Sequence, residues 1–249
     1  MAMRNILSEK DSGLLKKSRP VTDFNKRLHT LLDDMRETLI DANGLGLAAP
    51  QVGVLRRVIL VVDTSIGADE TDDTVYNETG DSAPVSSVAP DSGVPSSRVA
   101  AQASNAASAD FDDSDDSDDL TDSGVSYEEQ IVELINPEII AKSGAQSGSE
   151  GCLSVPGVYG LVTRPDFVKV KAQDRFGEPF EIWGKGLTAR ALCHEIDHLN
   201  GVIFTSLVER FLTEEEIQQM TEEREAVKGE RREERGESRE ESGERETES

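Results

Sequence analysis

Aromatic residues make up only 4% of the 249-residue chain and hydrophobic residues 36%, and there are just two cysteines, three histidines and one tryptophan. That is too little apolar material for the whole length to pack as one continuous domain, so part of the chain is expected to lie outside any core. No apolar run approaches the roughly 18 residues needed to cross a bilayer, and Met1 to Lys10 lacks the apolar stretch of a secretory signal. The expectation is a soluble, cytoplasmic protein with no membrane contact. Cys152 and Cys193 are too few for a disulfide framework; in a reducing compartment such thiols are more often buried, metal-bound or catalytic. Basic residues are short as well, 26 Lys and Arg against 50 Asp and Glu, for a formal net charge of −24. This excess argues against a nucleic-acid-binding surface over most of the chain.

The charge divides the sequence. Residues 63–129 hold 18 acidic residues and a single basic one, Arg98, in a Ser, Asp, Ala and Pro background with an Asp-rich run from Asp110 to Asp119. Residues 213–249 hold 15 Glu and 7 Lys or Arg, without apolar periodicity after Met220. Neither segment can bury enough apolar surface to offset the entropy of ordering, so 63–129 reads as a disordered insertion and 213–249 as a disordered or partly helical tail. The other 145 residues, 1–62 and 130–212, are nearly neutral and carry almost all the Ile, Leu, Val and Phe. They are the expected folded core. A long surface loop adds little closure entropy, so a core can tolerate the insertion.

Periodicity outlines that core. Phe24, Leu28, Leu31, Leu32, Met35 and Leu39 recur at helical spacing, with Thr22 as capping candidate and Gly44 as stop signal. Val58–Val62, Ile131–Ile135, Phe167–Ala172 and Phe180–Trp183 are short β-rich runs, the last two joined by Asp174 to Gly177 as a hairpin. Thr188–Asn200 reads as a second helix, with Gly201 just beyond its end. The expected fold class is α+β, strands lying between two helices.

The second helix carries His194-Glu195-Ile196-Asp197-His198. At this spacing the two histidines lie within roughly 40° of each other, on the side of Leu187 and Ala191, so both imidazoles can reach one metal ion with Glu195 beside them. Leu192, Ile196 and Leu199 fall opposite, where they would anchor the helix. An ordinary helix with two half-exposed histidines and a solvated glutamate has the same pattern. A catalytic site needs a third ligand and an open position. Cys152, within Glu150-Gly151-Cys152-Leu153-Ser154 and ahead of Pro156, is the candidate, its alternative being a small buried hydrophobe. Cys193 points about 100° away from His194 and is expected to be packing, and His29 has no partner motif.

Gly44-Leu45-Gly46-Leu47-Ala48-Ala49-Pro50-Gln51 has the glycine spacing of a dinucleotide-binding fingerprint, but it follows a helix and runs toward a strand, the reverse of what that motif requires. It reads better as a loop of small residues that lets a substrate backbone approach, with Gln51 presenting an amide donor.

These three segments resemble peptide deformylase, in that family's order: Gly-x-Gly-x-Ala-Ala-x-Gln as Gly44 to Gln51, Glu-Gly-Cys-Leu-Ser as Glu150 to Ser154, and His-Glu-x-x-His as His194 to His198. The likeness extends through Arg4-Asn5-Ile6, Ala42-Asn43, Ile135-Asn136-Pro137, Arg164-Pro165 and Leu199-Asn200-Gly201, and covers only the 145-residue core. It implies small antiparallel sheets around a central metal-binding helix. It implies one divalent metal per chain, Fe²⁺ in most of the family with Zn²⁺ as the alternative, bound by Cys152, His194 and His198 with water in the fourth position. Glu195 would take a proton from that water, the hydroxide would attack the formyl carbon of an N-terminal formylmethionine, and Glu195 would return the proton to the leaving amine. The Gln51 amide and the Leu153 N–H would stabilise the oxyanion, Gly46 would contact substrate backbone, and Leu45, Leu187 and Ala191 would line the methionine pocket. Arg164 and Asp197 would be either an ion pair orienting the helix or an ordinary surface pair. The implied partners are formylated nascent polypeptides at the ribosome exit, met by a monomer.

The sequence departs from the family at Cys193, where Gln is usual, at Leu15-Lys16, which lacks the usual Pro and Arg, and in the two acidic segments. The insertion is far in sequence from every catalytic motif and is expected not to touch the chemistry. The Glu-rich tail has the wrong charge to dock on ribosomal RNA. Both segments read as solvated spacers, with protein binding or an ion-dependent role as the alternative. The Asp run does not fit a calcium loop, since Thr121, Ser123 and Gln130 would fall at ligand positions. Two other functions share parts of the pattern: a general zinc peptidase, which has no use for Cys152 and Gln51, and a non-catalytic deformylase-like binding protein.

Overall fold

The computed structural model describes residues 2–64 and 126–222. Most of the acidic segment and most of the tail, and with them their expected disorder, lie outside the described residues. The order is α1 (Lys26–Asp41), β1 (Gly46–Ala48), a 3₁₀ turn (Ala49–Val52), β2 (Val58–Val62), β3 (Ile131–Ser143), β4 (Gln146–Cys152), β5 (Val155–Arg164), β6 (Phe167–Gln173), β7 (Pro179–Lys185), α2 (Gly186–Leu199), a 3₁₀ turn (Phe204–Ser206) and β8 (Arg210–Phe211). Residues 214–222 are also helical. Their start is capped reciprocally: Glu216 N–H donates to Thr213 Oγ1 and Thr213 N–H donates to Glu216 Oε2.

One five-stranded sheet runs in the order β1-β2-β3-β6-β7 and a three-stranded sheet in the order β4-β5-β8, all neighbours antiparallel. Strand β2, Val-Ile-Leu-Val-Val, shows how the larger sheet is held. Its period of two sends Val58, Leu60 and Val62 into the cluster formed with Leu28, Leu31, Leu32, Met35 and Leu39 of α1. Ile59 and Val61 go into the opposite cluster, with Leu192, Ile196 and Leu199 of α2. Both faces of the sheet are thus covered by a helix, which explains why β2 is apolar throughout. A third cluster, Leu14, Val155, Val162, Ile203 and Phe204, joins the small sheet to the segment after α2.

Several local readings change. The cap of α1 is Asn25, whose Oδ1 accepts from the Arg27 and Leu28 amides, and not Thr22, which lies three residues too early. The helix ends because Asn43 turns left-handed at φ 47°, one residue before Gly44. The expected loop Gly44–Gln51 is a three-residue strand followed by a 3₁₀ turn, and Glu150 to Cys152 end a strand rather than sit in a loop. Gly-rich strands read as loops because glycine lacks the side chain whose alternation marks a strand. Ile131–Ile135 opens a strand that runs to Ser143, passing Asn136 at φ 53° and a register shift before Glu138. The Asn136 side chain closes that bulge by bonding both backbone groups of Val21 and the Gln173 amide oxygen.

Candidate active site

Helix α2 brings most of the site together because its two faces are both buried. Leu192, Cys193, Ile196 and Leu199 pack on the sheet and set the rotation of the helix. His194, Glu195 and His198 consequently turn toward β4 and β1, with exposures of 9%, 4% and 1%. Cys152, at the end of β4, places its Sγ 3.2 Å from His198 Nε2. One ligand atom from each of Cys152, His194 and His198 lies within 4.8 Å of the other two, the only such group among the described residues. Cys193 lies in the core cluster, where burial pushes its thiol up to about 11. His29 is half-buried on α1 and bonds the Arg175 carbonyl, remote from this group.

The donor set fits a divalent metal. Thiolate and imidazole are the ligands chosen by Zn²⁺ and Fe²⁺, and three protein ligands leave a position open. The structure offers two further observations. Glu195 Oε2 and His198 Nδ1 are buried and have no hydrogen-bond partner among the described residues. Burial pushes the His198 imidazole down to about 3, with the charge of His194 adding to the effect. The same burial acts on His194, but hydrogen bonds to Cys152 and Glu150 and the nearby Glu195 carboxylate outweigh it and push it up to about 10. A cation between Sγ and the two imidazoles would supply positive charge beside the Glu150 and Glu195 carboxyls.

Behind the histidines is a buried ion network of which the sequence offered the Arg164–Asp197 pair, one of its two stated alternatives, but not Glu150 and Arg190 as its other members. Glu150 Oε2 lies 3.2 Å from His194 Nδ1, which fixes the ring and leaves Nε2 for the thiol side. Arg164 donates to both Glu150 oxygens, at 2.8 and 3.0 Å, and to Asp197 Oδ2 at 2.6 Å. Arg190 donates to Glu150 Oε1 at 2.9 Å and to the Val162 carbonyl at 2.9 Å. Burial alone would raise Glu150, but the His194 and Arg164 hydrogen bonds win and hold its carboxyl at about 2. A helical offset of four from Arg190 to His194 was the available signal, and it names no partner until β4 is placed beside α2.

Glu195 is pushed up to about 7 by burial, with Glu150 and Asp197 adding to the rise and the charge of His194 opposing it. It abuts Gly46, where a Cβ would fall 2.5 Å from Glu195 Oε1. That contact, and not a turn, is why glycine is needed there. Gln51 is 1% exposed; its Oε1 accepts from Ala48 N–H, which aims Nε2 at Ser154 Oγ, 3.3 Å away, and Cys152 Sγ, 3.5 Å away. Leu153 follows Cys152 and packs on the cluster under α1. Leu45 and Leu187 are 39% and 48% exposed, and Ala191 is buried one turn after Leu187. No helix among the described residues is long and apolar enough to cross a membrane.

The profile of the polypeptide deformylase family matches residues 3–83 and 104–213. A peptide deformylase of Caldicellulosiruptor bescii is 40% identical over 219 residues, which is 88% of this chain and 93% of that one. Peptide deformylase 1 of Bacillus subtilis is 36% identical over 220 residues, 88% and 99% of the two chains. Among solved structures, a peptide deformylase from Legionella pneumophila superposes with a TM-score of 0.56 at 33% identity, covering 92% of this chain and 96% of the other. A class I type b enzyme from Acinetobacter baumannii bound to Met-Ala-Ser does so with a TM-score of 0.55 at 27% identity, covering 83% and 99%. With the Cys152, His194 and His198 cluster, the Glu195 carboxyl beside it and relatives matched over nearly their whole length, this chain belongs to the peptide deformylase family.

Proposed function

We propose that this chain removes the formyl group from the N-terminal formylmethionine of newly made polypeptides, giving formate and a free amino terminus, as a cytoplasmic monomer acting at the ribosome exit. The observation that carries the reading is the convergence of Cys152, His194, His198, Glu195 and Gln51 from β4, α2 and the turn after β1 into one place, with all but the half-buried Cys152 buried. Cys152 Sγ and one nitrogen of each histidine would hold Fe²⁺ or Zn²⁺, which when bound supplies Lewis acidity toward water and the formyl oxygen.

The chain's own residues do the rest. Glu195, poised near neutrality by burial, takes a proton from the attacking water as its oxygen adds to the formyl carbon. It returns that proton to the methionine nitrogen as the carbon–nitrogen bond breaks. Gln51 Nε2, held in place through its own carbonyl, donates to the oxygen that gains charge, together with the Leu153 N–H. Gly46 presents backbone to the substrate, and Leu45, Leu187 and Ala191 receive the methionine side chain. Asp197 holds Arg164, Arg164 holds Glu150, and Glu150 holds His194, so that the ring keeps its orientation. The Met-Ala-Ser bound to the Acinetobacter baumannii enzyme has the form of a product of this reaction.

The test is formate release from formyl-Met-Ala-Ser by the full chain, purified without oxygen and loaded with Fe²⁺, beside acetyl-Met-Ala-Ser and the Glu195→Ala variant. Release from the formyl peptide alone, abolished in the variant, is the expected result. No release from protein carrying one metal per chain overturns the reading.

A further inference from the structure

The residues on either side of 65–125 are anchored to the two backbone segments that carry the exposed apolar side chains of the site. At one end Thr64 N–H donates to Thr188 Oγ1 at 3.2 Å and the two hydroxyls are 3.0 Å apart, directly after Leu187. At the other end the Tyr127 hydroxyl donates to the carbonyl of Gly44, directly before Leu45, while the Tyr127 ring packs on the cluster under α1. The acidic insertion, distant in sequence from the catalytic motifs, therefore joins the core beside the site. Gly44 is confined on its other sides: a Cβ there would lie 3.0 Å from Leu153 Cδ1 and 3.2 Å from Leu39 Cδ1.

We propose that Tyr127 is a positioning residue for substrate binding, its hydroxyl fixing the Gly44 peptide and through it the Leu45–Gly46 backbone on which the formylmethionine lies. The proposal rests on the deformylase reading. The segment is held by few strand partners: besides β2, Leu45 accepts from Val62 N–H and the Gly44 N–H reaches the Leu39 carbonyl at 3.4 Å. Strand β1 is three residues long, sits at the edge of its sheet and pairs only with β2, and two of the three residues at the turn into it are glycines. Glycine at 44 and 46 permits more backbone conformations than other residues, and a hydrogen bond that selects one of them removes an entropy cost that substrate binding would otherwise bear. Tyr127 touches no reacting atom, so its contribution falls on binding and not on the chemical step. A net hydrogen bond of ordinary strength corresponds to a roughly 2- to 10-fold change in affinity.

Tyr127→Phe keeps the ring packing and deletes the bond. In the Fe²⁺-loaded full chain the expected result is a KM for formyl-Met-Ala-Ser raised about 2- to 10-fold, kcat within twofold of the parent, unchanged metal content, and faster amide hydrogen exchange at residues 45–47 with β2 and β3 unaffected. Tyr127→Ala, which also removes the ring, should add a loss of Tm. Unchanged KM and unchanged exchange at 45–47 in Tyr127→Phe overturn the proposal, as does a fall in kcat and Tm with KM unaltered. If the parent protein releases no formate, the deformylase reading fails by itself, and exchange at 45–47 still decides whether Tyr127 holds the loop.

Discussion

Glu150 Oε2 stands 3.2 Å from His194 Nδ1, so a carboxylate on β4 fixes a ring of the Cys152, His194 and His198 cluster on α2. The pair matters for stability as well as for the site, because Glu150 is also the shared acceptor of Arg164 and Arg190.

Glu150 should make the protein acid-sensitive in a defined window. Its folded-state carboxyl is lowered from 4.5 to about 2, so the stability it contributes is present in full above pH 4.5 and is lost as pH falls toward 2. Glu150→Gln leaves two buried guanidinium groups short of a counter-charge and should cost about 3 kcal/mol or more at pH 7. Urea midpoints of parent and variant should differ most between pH 5 and 7 and converge below pH 4.5; a gap that persists undiminished to pH 3 would contradict this.

Gly46→Ala should separate activity from folding. The new Cβ would sit 2.5 Å from Glu195 Oε1 and 2.7 Å from its Cγ, so the carboxylate must move. If Glu195 is the base proposed above, a displacement of about 1 Å corresponds to roughly 100-fold in kcat/KM. The atoms in the way belong to a side chain and not to backbone, so the stability loss should stay near 1 kcal/mol. Formate-release kinetics and a thermal melt on the same sample check both halves.

Removing the metal should destabilise the fold and not only stop the reaction. A ligand that binds only the folded chain adds about 2.7 kcal/mol when its free concentration is 100 times Kd. A chelator should therefore lower Tm, and Fe²⁺ or Zn²⁺ should restore it. In His198→Ala the restoration, and the stoichiometry of one metal per chain, should both be lost.

Gly201→Ala should be a stability variant with normal kinetics per folded molecule. Gly201 has φ +75°, and a Cβ there would fall 2.5 Å from the Leu15 carbonyl oxygen, a backbone atom that cannot step aside. The expected cost is about 2 kcal/mol or more, read as a shift in the urea midpoint.

Much of this was legible in the linear sequence. The helical repeat of Leu28, Leu32, Met35 and Leu39 marks α1 because one face of that helix is buried, and the all-apolar Val58–Val62 marks a strand buried on both sides. The four-residue spacing of His194 and His198 puts two imidazoles on one side of a helix through helical geometry alone. Where a reading missed, a local signal was weak or absent: Gly46–Ala48 and Gln146–Cys152 are strands without the alternation that announces one, and their pairing with β2 and β5 supplies the order that their side chains do not.

The residue types needed for the chemistry, and the periodicities of the elements that carry them, were determined by the sequence alone, since both depend on neighbours within a few positions. Tertiary structure decided which of those residues meet. Glu150 reaches His194 across 44 positions, Gln51 reaches Cys152 across 101, and Tyr127 reaches Gly44 across 83. No local spacing encodes such contacts. They arise because two helices pack on opposite faces of one sheet, burying Leu60 on one side and Ile59 on the other, with β1 against α2, while β4 of the second sheet meets α2 through Glu150.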